Sequence, residues 1–172
     1  MSDDRHYVTT VDGQFGKLTL VATDRGLRAL IWPDDSSYRV PLTSELIAED
    51  DHPILAIGRL QVEEYLAGDR IEFDIKFDLR GTEFQQEVWL SLASIPLGQT
   101  ATYGEQASRI GRPKAVRAVG GAIGRNPISI ILPCHRVIGA SGDLTGFAGG
   151  IETKRSMLVF ERAVSRSLLN CH

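Results

Sequence analysis

The run Asn126-Pro-Ile-Ser-Ile-Ile-Leu-Pro-Cys-His-Arg-Val137 sets a thiol beside an imidazole. A thiol with an ordinary pKa near ~8.5 is mostly protonated at neutral pH, and a neighbouring base supplies the nucleophilic thiolate on demand. The apolar segment Ile128 to Leu132 reads as a strand, and Pro133, which cannot donate to a ladder, ends it and presents Cys134 just beyond. Packing is the competing reading, because cysteine is among the most buried residue types. A carboxylate is available to orient the imidazole. Glu161 falls near the end of a last helix expected over Ile151 to Ala163, where it opposes the macrodipole and needs a partner. That partner is either His135 or, as a surface ion pair, Lys154 or Arg162.

Charge is distributed unevenly around this run. Residues 1–80 hold 9 Lys/Arg against 16 Asp/Glu, whereas residues 81–172 hold 10 against 6, within a chain whose net charge is −3. Between 99 and 136 six cations (Arg109, Arg112, Lys114, Arg117, Arg125 and Arg136) face a single acid, Glu105. Such a cluster suits either a docked polyanion or a solvated basic face. The two cysteines, Cys134 and Cys171, fit a reducing compartment, and no CxxC or paired-histidine spacing indicates a metal. The start, MSDDRHYVTT, is too polar for a secretory signal, and no run approaches a membrane span. A cytoplasmic location is expected.

Several elements must position these groups. Tyr7–Val11, Lys17–Thr23 and Leu27–Trp32, separated by Asp12-Gly13 and Asp24-Arg25-Gly26, read as an antiparallel meander. Residues 33–52 read as a loop or ragged helix. An amphipathic helix follows from Pro53, with Ile54, Ile57, Leu60 and Leu66 inward and Val62 and Tyr65 nearby, until Gly68 stops it. Ile71, Phe73, Ile75 and Phe77 alternate as a strand would. Residues 1–80 thus form an acidic α+β scaffold domain without a catalytic constellation, and 81–172 form the second domain.

In that second domain Thr82 and Gln85 form a capping box, and Phe84, Val88, Leu92 and Ile95 line one helical face that Pro96-Leu97-Gly98 ends. Thr102 and Glu105 cap a short helix that Gly111 closes, and Pro113 opens a third. Helix, glycine turn, helix fits a helix-turn-helix, though helical hairpins share the pattern. In the third helix Val116, Val119 and Ile123 form the inward stripe, opposite Lys114, Ala118, Gly121, Ala122 and Arg125. A face of small residues flanked by cations suits backbone contact or the minor groove better than long-side-chain readout of the major groove. Close helix packing is the alternative use of those glycines. Further on, the loops Gly139–Gly142 and Gly146–Gly150 offer backbone groups to a planar ligand.

Taken together, RAVGGAIGRNP (117–127), PCHRV (133–137), the glycine-rich loop 142–150 and the Lys154…Glu161 helix resemble the O6-alkylguanine-DNA alkyltransferase family, closely over 80–162. The resemblance implies an α+β fold: a ribonuclease-H-like sheet domain followed by a mainly helical, winged-helix-like domain with a helix-turn-helix. It implies suicidal, single-turnover transfer of an alkyl group from O6-alkylguanine in duplex DNA to Cys134, with O4-alkylthymine as a further substrate left open. His135 would be the base, acting through a water, with Glu161 holding the imidazole in its working tautomer. Asn126 would brace the turn, and Tyr103 would give its hydroxyl proton to guanine N3. The carbonyls of Cys134 and Val137, with the amide of Ala148, would read the exocyclic amine and O6. Arg117 would fill the gap left by the flipped nucleotide, with Ala118, Gly121, Arg112 and Arg125 completing a minor-groove surface. Phe147 departs from the tyrosine of many members and keeps only ring packing against the base. No cofactor, metal, membrane or obligate protein partner is implied. Two other classes compete: a non-catalytic sensor of alkylated DNA, which lacks the acceptor cysteine, and a cysteine hydrolase, which needs an oxyanion hole and turns over.

Overall fold

A computed structural model describes residues 4–36, 39–42 and 45–171. The chain forms two compact units, 1–80 with 127–131, and 81–126 with 132–172. Together they are α+β: one unit is built on a sheet and the other on helices.

In the first unit β1 (His6–Gly13), β2 (Gly16–Thr23) and β3 (Gly26–Ile31) form the expected antiparallel meander. A fourth strand, β4 (Leu46–Ala48), pairs in parallel with β1 and completes the order β3-β2-β1-β4. The reading of 33–52 as loop or ragged helix is corrected there, while its positions 37, 38, 43 and 44 lie outside the described residues. Helix α1 (Pro53–Leu66) packs on the sheet and ends before Gly68, whose φ of 81° an L side chain would resist. Its buried line is Leu55, Gly58, Val62 and Tyr65, whereas the expected Ile57 and Leu60 are exposed. Gly58 explains the rotation: a Cβ there would already touch Leu20 at 3.4 Å, so the smallest residue sets the line of closest approach. The alternating stretch 71–77 is not a sheet strand and bridges Leu27 only at Phe77. The Gln61 side chain instead takes both backbone groups of Asp74, at 3.0 and 2.9 Å.

The segment 127–131 also departs from expectation. Ile128 makes one bridge to Leu30, but no strand forms. Ile130 has φ 72°, and Ile131 N–H donates to Ser129 O at 2.9 Å, a γ-turn of the strained positive-φ kind. For a fully buried β-branched residue that conformation costs on the order of 1–3 kcal/mol.

In the second unit both capping boxes are made, opening α2 (Glu83–Ser91) and α3 (Tyr103–Arg109). After the turn at Gly111, helix α4 begins at Val116 and runs to Ile123. Pro113 and Lys114 lie in the preceding turn rather than in the helix. Val116 is exposed and Ala122 is buried, reversing their expected faces, because the Trp89 indole N–H donates to Ala122 O at 2.7 Å and draws that side inward. The short strands β5 (Ala101–Thr102) and β6 (Val137–Ile138) pair in parallel. Helix α5 runs from Ile151 to Asn170, longer than expected, since no glycine or proline interrupts it. Among the described residues no helix is long and apolar enough to cross a membrane.

Candidate active site

Backbone turns present Cys134. Pro133, at φ −80° and ψ 70°, forms an inverse γ-turn closed by Cys134 N–H donating to Leu132 O at 2.8 Å. The same carbonyl accepts from Asn126 Nδ2 at 2.7 Å, within a buried environment. Asn126 therefore holds the peptide whose carbonyl also accepts from the cysteine amide. Residues Cys134–Arg136 then form one turn of 3-10 helix that feeds β6. Cys134 is buried, and neither cysteine is in a disulfide.

His135 and Glu161 are both fully buried, and Nε2 lies 2.7 Å from Glu161 Oε1. Burial pushes the Glu161 carboxyl up, but His135 and Arg136 outweigh it and hold the group at about 2. An ionised carboxylate only accepts, so Nε2 carries the proton and Nδ1 is left as the basic nitrogen. Nδ1 is buried without a hydrogen-bond partner among the described residues. Burial also lowers the His135 pKa below its ordinary value, against the pull of Glu161, which keeps the ring neutral and able to take a proton.

The charge pattern groups Arg136 with the basic surface, and the structure corrects that. Arg136 is buried, reaches Glu161 Oε2 and Oε1 at 2.9 Å each, and donates to Ile95 O at 2.5 Å. The fork fixes the carboxylate plane that in turn aims His135. Of the partners considered for Glu161, His135 is the one it meets, while Lys154 Nζ donates to a backbone carbonyl. Glu161 also lies mid-helix, nine residues before the end of α5, so the dipole reasoning fails although the partner is right.

Lys154, read from the sequence as part of the last-helix motif and as a possible surface partner of Glu161, is a second buried group. Its Nζ donates to Val137 O at 2.7 Å and Thr145 O at 3.2 Å. Burial pushes its pKa down, and attraction to Cys134 opposes that. The Tyr103 hydroxyl lies 2.5 Å from Thr145 Oγ1, and Phe147 meets the His135 ring edge-on at 6.4 Å between centroids. Val137 is buried and Ala148 half-buried. The Cys-His-Glu set, Asn126 and Phe147 thus converge, while Tyr103 joins the 143–150 loop through Thr145.

On the helix-turn-helix, Arg117, Ala118, Gly121 and Arg125 are all exposed on α4 or just past its end. A Cβ at Gly121 would meet nothing within 4 Å, so packing inside this unit does not demand glycine there. Gly120 differs, since a Cβ there would touch the Tyr103 ring at 3.6 Å. Arg112 is exposed but engaged, 3.3 Å from Glu87 Oε2 and over the Phe84 ring at 5.4 Å. No group of three or more His, Cys, Asp or Glu among the described residues is placed to hold a metal.

Fold and site define a two-part α+β protein whose helix-turn-helix unit carries a cysteine beside a carboxylate-oriented histidine. Residues 6–79 match the family model for the 6-O-methylguanine DNA methyltransferase ribonuclease-like domain, and residues 83–163 match its DNA binding domain. The chain is 47% identical over 161 residues to a methylated-DNA–protein-cysteine methyltransferase of Mycolicibacterium paratuberculosis, covering 93% of this chain and 94% of the relative. A relative of the same name from Methanosarcina mazei is 45% identical over 145 residues, 84% of this chain and 89% of the other. The crystal structure of Mycobacterium tuberculosis OGT in complex with DNA superposes with a TM-score of 0.82 at 44% identity, covering 92% of this chain and 94% of that one. This chain belongs to the 6-O-methylguanine DNA methyltransferase family.

Proposed function

We propose that this protein repairs DNA by moving the alkyl group of O6-alkylguanine onto Cys134, once and irreversibly. The observation that carries the reading is the buried His135–Glu161 contact at 2.7 Å on the residue next to the cysteine. Through a water, Nδ1 of His135 would take the thiol proton. The thiolate attacks the alkyl carbon in line, a C–S bond forms, and the C–O6 bond breaks with its electron pair left on the purine. A saturated carbon offers no oxyanion to stabilise, so help must come from protonating the leaving group. Tyr103 would supply that proton at N3. The thioether product has no hydrolytic exit, and the protein is consumed.

The target atom is inaccessible in a stacked base, which calls for flipping at a cost of a few kcal/mol. The exposed small face of α4, Ala118 and Gly121, would enter the minor groove, with Arg117 in the vacated stack and Arg125 and Arg112 on phosphates. The open surroundings of Gly121 support this docking, and the relative in complex with DNA supports DNA as the partner. The carbonyls of Cys134 and Val137 and the amide of Ala148 would read the base edge, with Phe147 packing on its ring. The reading includes a cytoplasmic location, where thiols stay reduced. Cys134→Ser tests it: the variant should bind alkylated duplex as the wild type does and accept no alkyl group. An alkylated Cys134→Ser protein would refute the assignment.

A further inference from the structure

The hydroxyl of Tyr103 meets that of Thr145 at 2.5 Å, across 42 residues of chain. The Tyr103 ring lies on another side against α4, where even an added Cβ at Gly120 would meet it at an ordinary contact distance of 3.6 Å. Thr145 is itself anchored, because its carbonyl accepts from the buried Lys154 ammonium at 3.2 Å. The Thr145 side chain is exposed, so its bond to Tyr103 is not a by-product of core packing.

Two hydroxyls in contact share one hydrogen between them, and in the free protein either can donate. A purine N3 is an acceptor only. Once it takes the Tyr103 hydrogen, the bond to Thr145 can persist only with Thr145 as donor. We propose that Thr145 is a positioning residue for alkyl transfer: its O–H donates to Tyr103 Oη and stabilises the negative charge gathering there as the Tyr103 proton leaves. This rests on the alkyl-transfer reading and on Tyr103 as proton donor to the base. The balance is simple. The purine gains the proton and the electron pair from the broken C–O6 bond, Tyr103 is left as a tyrosinate until solvent reprotonates it, and Thr145 loses nothing. A fixed hydroxyl does this without the reorganisation that a loose water would need.

The test compares single-turnover rates of the wild type, Thr145→Val and Thr145→Ser on duplexes carrying O6-methylguanine or its 3-deaza analogue, which has C–H in place of N3. One hydrogen bond to a group gaining charge predicts about a tenfold slower Thr145→Val on the normal duplex, and serine restores the rate to within about twofold. On the 3-deaza duplex no proton leaves Tyr103, and Thr145→Val should match the wild type. In a Tyr103→Phe background, Thr145→Val should cost nothing further. A Thr145→Val rate equal to wild type on the normal duplex would overturn the proposal. So would an equal penalty on both duplexes, the mark of a structural brace, or a serine that fails to rescue. A wild-type protein that leaves Cys134 unalkylated would instead sink the underlying reading, so the two failures are distinguishable.

Discussion

Arg136 grips Glu161 through both carboxylate oxygens, at 2.9 Å each, in a buried setting. The carboxylate thereby has a fixed plane before it meets His135, and the imidazole inherits its aim from an arginine one residue along the chain. Burying an arginine and a carboxylate is costly, and breaking such a pair by removing one partner typically costs about 3–5 kcal/mol. The arrangement is sensitive from either end.

Glu161→Gln should therefore do two things. It strands Arg136 without its counter-charge, lowering stability by roughly 3 kcal/mol, and it loosens the tautomer control on His135. The transfer rate, measured well below the melting temperature, should drop about a hundredfold while duplex affinity stays within about threefold. A Glu161→Gln protein reacting at the wild-type rate would remove the orienting role.

Acid should act in a defined order. The His135 pKa is held below its ordinary 6.5 by burial, so the unfolded chain takes up that proton first, and stability is lost as pH falls below about 6.5 toward the folded value. Glu161, held at about 2 against an ordinary 4.5, has the same sign in a lower window, its contribution lost as pH falls from about 4.5 toward 2. The transfer rate should not decline from His135 protonation until the pH is below 6.5. Urea midpoints measured from pH 8 down to about 2 test both windows and single-turnover rates from pH 8 to about 5 test the rate, and stability rising on acidification from pH 7 to 5 would contradict them.

Local chemistry was legible in the sequence and long-range burial was not. Both capping boxes, the meander and the stop at Gly68 are set by residues within a few positions of one another, and each formed as read. Cys134, His135 and Asn126 were legible because one short motif holds them. Arg136 was missed because a cation after a Cys-His pair looks like surface charge until its partner arrives from α5, 25 residues away. Ile130 carried no signal, since nothing in an isoleucine announces positive φ. The face of α1 was misjudged by counting large apolar residues and overlooking that Gly58 lets the helix approach the sheet.

Gly121 separates folding from binding. Because a Cβ at that position would have nothing within 4 Å, Gly121→Ala should raise stability by up to about 1 kcal/mol through helix propensity. The added methyl would enter the groove, so affinity for duplex should fall, by about tenfold. Melting and duplex titration on the same sample decide it, and unchanged affinity would move the docking surface off this face.

Arg117 is exposed at the edge of the same face. If its guanidinium fills the vacated stack, Arg117→Ala should slow transfer from a duplex by at least about tenfold and leave transfer from free O6-alkylguanine base within about twofold. Equal losses on both substrates, or none on either, would exclude that use.

The central claim is that Cys134 keeps the alkyl group. Intact-protein mass after incubation with excess duplex containing O6-methylguanine tests it most directly, with peptide mapping to place the addition. The exposed Cys171 serves as an internal control, since accessibility alone would favour it over the buried Cys134. The account predicts one methyl group per protein, located on Cys134, with no further guanine restored afterwards. A methyl group on Cys171, an unchanged mass, or repair continuing past one equivalent per protein would contradict it.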